Sequence, residues 1–297
     1  MADQIKNIAL CRRLLGRVKS VRFSSEKQID LSDRFALVTI AAGLRTVAAF
    51  GFRENQDEQA QSVVKGIIER EGLCALMTSP IHRALPSELP RDIAAVFEGF
   101  DAQHEARSNE RLLWVFSDPS NRVVVERVIS GEEAPGVILG YPTCCVEQER
   151  NPQIAAQDVF RHAIVNAVGS EPEAIRRALR EDLEVELPAD TYSRENAVAT
   201  ARSHPFVFHI ACDECLASDN SATSEMDRNF RALAQQVDRT LFQGIVDMAE
   251  VDAEVQTTIS EAEAKGLGPE TLDSRTKSRL QGLFRKRDKI HGQTVGT

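Results

Sequence analysis

Aromatic residues are scarce in this chain, with one tryptophan and two tyrosines among 297 residues. A surface that stacks on RNA bases needs rings interleaved with basic side chains, so that class of nucleic-acid binder has little support. Long apolar runs are also missing. The stretch Phe35-Ala-Leu-Val-Thr-Ile-Ala-Ala42 is among the longest and falls well short of a bilayer span, so no membrane partner is expected. No phosphate-binding GxxxxGK[ST] loop, GxGxxG after a strand, HExxH, GxSxG or EF-hand loop occurs. Common nucleotide hydrolases, dinucleotide enzymes and serine hydrolases therefore lack their local signatures.

Secretory features are absent from MADQIKNIALCRRLLGRVKS, which has neither a long apolar core nor a small-residue cleavage site. A cytoplasmic location is the expectation. Six cysteines spread over this length do not make a disulfide scaffold, so in a reducing compartment they should be thiols or ligands.

Charge is unevenly placed. Residues 1–22 and 273–297 each carry a net charge of about +5, which leaves about −19 in the body between them. An acidic body repels nucleic acid, so any such partner would have to bind through the basic termini. The simpler expectation docks those termini on the acidic body or on a second subunit, which leaves an oligomer open.

Apolar periodicity predicts an α/β fold: a small mixed or partly parallel sheet with flanking helices, then a mostly helical C-terminal part. Helices are expected from Ile5 to Val18, from a cap at Ser32 to Ala42, over 57–71, from Arg91 to Phe97, and over 121–129. Strands are expected at 46–52, 73–77 and 111–116. Three prolines between Ser79 and Pro90 break regular structure. Beyond Gly140 a helix interrupted or delayed by Pro152 should reach Val168, with another over 171–180. One long helix should carry Met226, Phe230, Leu233, Val237, Leu241, Ile245 and Met248, punctuated at Gly266–Pro269. The division that follows is 1–135 as an α/β domain, 136–270 as a helical region with a cysteine site, and 271–297 as a basic tail or helix.

Chemistry concentrates at two loci, Cys144-Cys145 in GYPTCC and Cys212-x-x-Cys215 in HIACDEC. Four soft, charged thiolates complete a tetrahedral set for zinc or for the iron of an iron–sulfur cluster. Both pairs precede expected helices, where exposed backbone N–H groups lower thiol pKa values. Cys11 and Cys74 sit in ordinary apolar contexts and are expected to be packing residues. His209, three residues before Cys212, could ligate or carry protons, as could His204. Glu147, beside the first pair, is a candidate general base or a helix N-terminal acid. Tyr141 and Pro142 should shape the turn into Cys144, and the polar 219–224 segment should cap a helix or line a substrate loop.

The GYPTCCV segment, followed by HPFVFHIACDEC, resembles an uncharacterised family with a Gly-Tyr-Pro-x-Cys-Cys-Val motif and a second downstream cysteine pair. Gly140, Tyr141, Pro142, Cys144, Cys145 and Val146 carry the resemblance, which spans about residues 30–240. It implies a shared cysteine site and brings no reaction with it.

Three functions remain. The leading one is an enzyme with a zinc or iron–sulfur centre on Cys144, Cys145, Cys212 and Cys215, acting on a small-molecule substrate with His209 alongside. The second is a closed structural zinc site. The third is a metal-free thiol enzyme with Cys145 as nucleophile and His209 as base.

Overall fold

The computed structural model describes residues 7–21, 29–53, 58–78, 89–108, 110–130, 133–180, 194–267 and 271–293. The expected positions of Ile5, Pro80, Pro86 and Pro269 lie outside the described residues. Helix α1 (Ile8–Lys19) buries Leu14, Leu15 and Val18 on one stripe. Helix α2 (Leu31–Ala41) is apolar nearly all round and buried accordingly. Its cap position is Asp30, two residues before the expected cap at Ser32, and no side chain bonds there.

Three strands, β1 (Val47–Arg53), β2 (Cys74–Thr78) and β3 (Glu110–Phe116), form one sheet in the order β1-β3-β2. Helix α3 (Glu58–Arg70) links β1 to β2, and α4 (Arg91–Ser108) links β2 to β3. Both pairings are antiparallel, with Ala49 opposite Trp114 and Leu76 opposite Trp114. This corrects the expected parallel component. A strand–helix–strand alternation does bring β1 and β2 into the same direction, but β3 inserts between them and runs against both.

Period-two alternation then serves two cores. Ala48, Phe50, Leu113 and Val115 face the main core, while Val47, Trp114 and Phe116 pack with Val125 and Val128 of α5 (Asn121–Ile129). Trp114 Nε1 donates to Thr78 Oγ1 at 3.1 Å, which satisfies its buried indole.

The helical remainder comprises α6 (Pro135–Ile138), α7 (Thr143–Val168), α8 (Pro172–Arg180), α9 (Arg194–Ser203), α10 (Asp213–Leu216), α11 (Ala222–Val237), α12 (Arg239–Glu263) and α13 (Ser274–Gln293). Helix α7 runs through Pro152 without a break. The expected single long helix is two. At Asp238 the backbone is extended, with φ −159° and ψ 120°, and its carboxylate accepts from Thr240 and Leu241 N–H to start α12. Among the described residues no helix is long and apolar enough to cross a membrane.

The basic ends do meet acidic partners. Arg13 and Arg17 pair with Glu71, Lys19 with Asp238, Arg279 with Glu261, and Arg287 with Asp252. Arg12 donates to the last carbonyls of α11, at Gln236 and Val237, an exit normally left to solvent.

Candidate metal centre

The turn into the first cysteine pair is built tightly. Gly140 has φ +76°, a left-handed conformation that glycine adopts without a Cβ clash. Gly136 of α6 lies so close to α7 that a Cβ there would meet Val146 Cγ2 at 2.8 Å. Pro142 then stands at the cap of α7, and Cys144 and Cys145 occupy its first turn. Neighbours on a helix differ by about 100°, so both sulfurs can address one point. Cys212 is the cap residue of the single-turn helix α10, and Cys215 lies within it.

The four residues converge. Their sulfurs all lie within 4.8 Å of one another, with Cys144–Cys215 at 3.6 Å and Cys145–Cys215 at 3.7 Å. Cys145, Cys212 and Cys215 are buried and Cys144 is half-buried. The group could bind a metal ion, and no disulfide links its members. Cys11 and Cys74 stay apart: Cys11 is buried in α1 with its thiol toward the Val38 carbonyl, and Cys74, the first residue of β2, packs against the cluster around Trp114 and Val125.

Polar groups hold the ligand segments in place. The Cys212 N–H points to Cys145 Sγ at 3.4 Å, and Asp213 N–H donates to Gln148 Oε1, tying α10 to α7. Asn196 of α9 donates to the Ala211 carbonyl and to Asp213, and Thr200 accepts from Ala211 N–H. Ser221 caps α11 by accepting from Ser224 N–H, as the polar 219–224 segment suggested, and also donates to the Cys215 carbonyl.

Thr223 was invisible as a site residue in the sequence. Fully buried, it places Oγ1 3.6 Å from Cys145 Sγ and 3.0 Å from His209 Nε2. Its only sequence signal is membership of that cap-rich segment. His204 bonds Ser203 and Ser224, away from the sulfurs, and Glu147 is exposed on α7.

Helix entry does not lower the thiol pKa values of the first pair. Desolvation, reinforced by the neighbouring thiols Cys212 and Cys215, pushes Cys144 up to about 11, and burial pushes Cys145 up as well. At Cys215 burial acts in the same direction, yet bonds from Thr223 and from the thiols of Cys144 and Cys145 bring it down to about 7. The set therefore loses its first proton near neutrality.

A cleft of about 780 Å³ lies alongside, lined by residues of α2, α9, α12 and the 204–210 segment. Tyr141, His204 and His209 reach its wall; none of the four cysteines does. The Tyr141 and His209 rings pack with centroids 4.9 Å apart. Arg45, 7% exposed, donates from Nε and Nη2 to the Leu139 carbonyl and lies over the Phe208 ring at 4.8 Å. Desolvation pushes its pKa down and the contact with Tyr141 opposes that fall. Comparison with protein-family models, curated proteins and solved structures finds no match for this chain.

Proposed function

We propose that this chain is a metal-stapled binding protein, in which Cys144, Cys145, Cys212 and Cys215 hold one zinc ion as a closed centre. The convergence of four sulfurs within 4.8 Å carries the reading. A tetrahedral ion with Zn–S bonds of about 2.3 Å sets its sulfurs about 3.8 Å apart. The separations of 3.6 and 3.7 Å agree with that edge. A four-iron cluster puts a separate iron under each thiolate and spreads the sulfurs to roughly 6 Å, so a single ion fits better.

Four thiolates fill a tetrahedral shell and leave no open position for substrate, which favours a structural role over a Lewis-acid one. Absence of the cysteines from the cleft wall supports the same assignment. The metal-free thiol enzyme is less well supported. Cys145 is 2% exposed, burial raises its pKa, and Thr223 contacts both it and the proposed base His209.

On this reading the ion fastens the first turn of α7 to the 204–215 segment. Tyr141 and His209 are thereby held as one wall of the cleft, which is the functional surface.

Metal analysis of the purified full chain tests the centre. The expected result is one zinc and negligible iron per chain, lost on Cys145→Ser together with a lower Tm, and retained on Cys74→Ser. Zinc well below stoichiometry with all thiols free would overturn it.

A further inference from the structure

The cleft beside the centre has an excess of unused hydrogen-bond acceptors. At about 780 Å³ it is in the range of small-molecule sites. Much of its wall is apolar, with Phe35, Phe206, Ile245 and Met248 among small alanines. Its cations are already engaged: Arg45 by the Leu139 carbonyl and two aromatic rings, Arg287 by Asp252 at 3.7 Å.

A ring nitrogen and a carboxylate on this wall are not engaged. His209 is 8% exposed, its Nε2 meets Thr223, and its Nδ1 is buried with no partner among the described residues. Asp33 lies on the wall formed by α2; the Arg34 charge acts on its carboxylate, but no hydrogen bond or close ion pair reaches it among the described residues.

The protonation pattern follows from the centre, so this step rests on the thiolate reading above. A metal-bound thiolate can only accept hydrogen bonds, so Thr223 directs its single proton to sulfur and takes one from His209 Nε2–H. The neutral ring then offers Nδ1 as a lone pair. Burial, with Arg45 and His204 adding to it, brings the His209 pKa down to about 4 and keeps that ring neutral.

We propose that the cleft binds a small organic cation with an apolar body, whose N–H groups donate to Asp33 and to His209 Nδ1. An anion would meet no unengaged positive group among these wall residues. An inorganic divalent cation would need six or more oxygen ligands or a dense carboxylate set, which this mostly apolar wall does not offer. Amidinium and ammonium compounds have the required donors, and an aromatic or aliphatic body would cover Phe35 and Met248.

Three probes of one shape isolate the charge: benzamidine, benzamide and benzoate. They are titrated into the zinc-loaded full chain near pH 8, with the His209 ring nitrogens followed by NMR and zinc measured on the same sample. Benzamidine should bind saturably and shift the Nδ1 resonance. Its affinity should exceed that of the other two by about tenfold, the scale of one charge-assisted hydrogen bond. Asp33→Asn, with its fold checked by Tm, should reduce benzamidine to the level of benzamide.

Benzoate binding as tightly as benzamidine, or no saturable binding by any probe at full zinc occupancy, overturns the proposal. Benzamidine binding that depends on Asp33 in a sample free of zinc would uphold the cleft and overturn the metal centre instead.

Discussion

His209 Nε2 and Thr223 Oγ1 lie 3.0 Å apart, both side chains buried, and that contact joins the cleft to the sulfur site. Thr223 is the only side chain in hydrogen-bond range of both His209 and Cys145 among the described residues. Replacing it tests whether the hydroxyl matters apart from its volume. Thr223→Val keeps the shape, strips a donor from sulfur and leaves His209 with two unpartnered nitrogens. Unfolding stability should fall by about 1–3 kcal/mol, the cost of stranding buried polar groups. Zinc affinity should fall about tenfold to a hundredfold, as for other residues that orient metal ligands. Competition with a colorimetric chelator reads the second quantity, and Thr223→Ser should restore most of it. Unchanged zinc affinity in the valine variant would reduce Thr223 to a packing residue.

The pH dependence of stability should reveal Asp33 and His209 as opposed terms. Burial, with Asp30 adding and Arg34 opposing, pushes the Asp33 carboxyl up from 3.8 to about 7. Between those values the folded state binds more protons than the unfolded one, so this group's contribution is full below about pH 4 and is lost as pH rises towards 7. His209 behaves oppositely. Its folded value near 4 is below the ordinary 6.5, so its contribution is full above 6.5 and is lost as pH falls. The two slopes partly cancel in the native protein. Asp33→Asn removes one of them, so the variant should gain stability on the wild type as pH rises from 5.5 to 8, by on the order of 2 kcal/mol. Denaturant unfolding over that interval, above the range where acid strips zinc, makes the comparison. A difference independent of pH would show that Asp33 is ordinarily solvated.

Residue type and spacing made some of this structure legible and hid the rest. The cysteine loci stood out because few side chains do what thiolates do, and the four indeed come together. Thr223 and Asp33 have many ordinary uses, and no local pattern marks a threonine that touches a cysteine 78 positions away. The helices and strands were legible from periods of 3.6 and 2, since each reflects one buried face. Strand order was not: nothing in β3 itself tells that it inserts between β1 and β2. Asp238 was misleading for a related reason. Apolar spacing continues across it from Val237 to Leu241, both buried, while the chain turns beneath an unbroken apolar pattern. Glu147, chosen for its closeness to Cys145, points to solvent, because two helical steps, about 200°, carry the chain from the buried face to the exposed one.

Close approach at Gly136 offers a test of how firmly α6 sets the first cysteine pair. An added Cβ would lie 2.8 Å from Val146 Cγ2 and 3.4 Å from the Tyr141 ring, so one of these must move. Val146 is β-branched and next to Cys145, so its displacement is transmitted to the sulfur, and Tyr141 supports His209. Gly136→Ala should therefore destabilise by about 1–3 kcal/mol through overpacking, despite the better helix propensity of alanine. Zinc should dissociate faster in a chelator challenge. Gly16 in α1 and Gly282 in α13 are the controls, because a Cβ at either meets nothing within 4 Å. Alanine there should stabilise by about 0.4–1 kcal/mol through the unfolded chain and leave zinc release unchanged. If Gly136→Ala behaved like these two in both measurements, α6 would have no part in holding the Cys144-Cys145 turn.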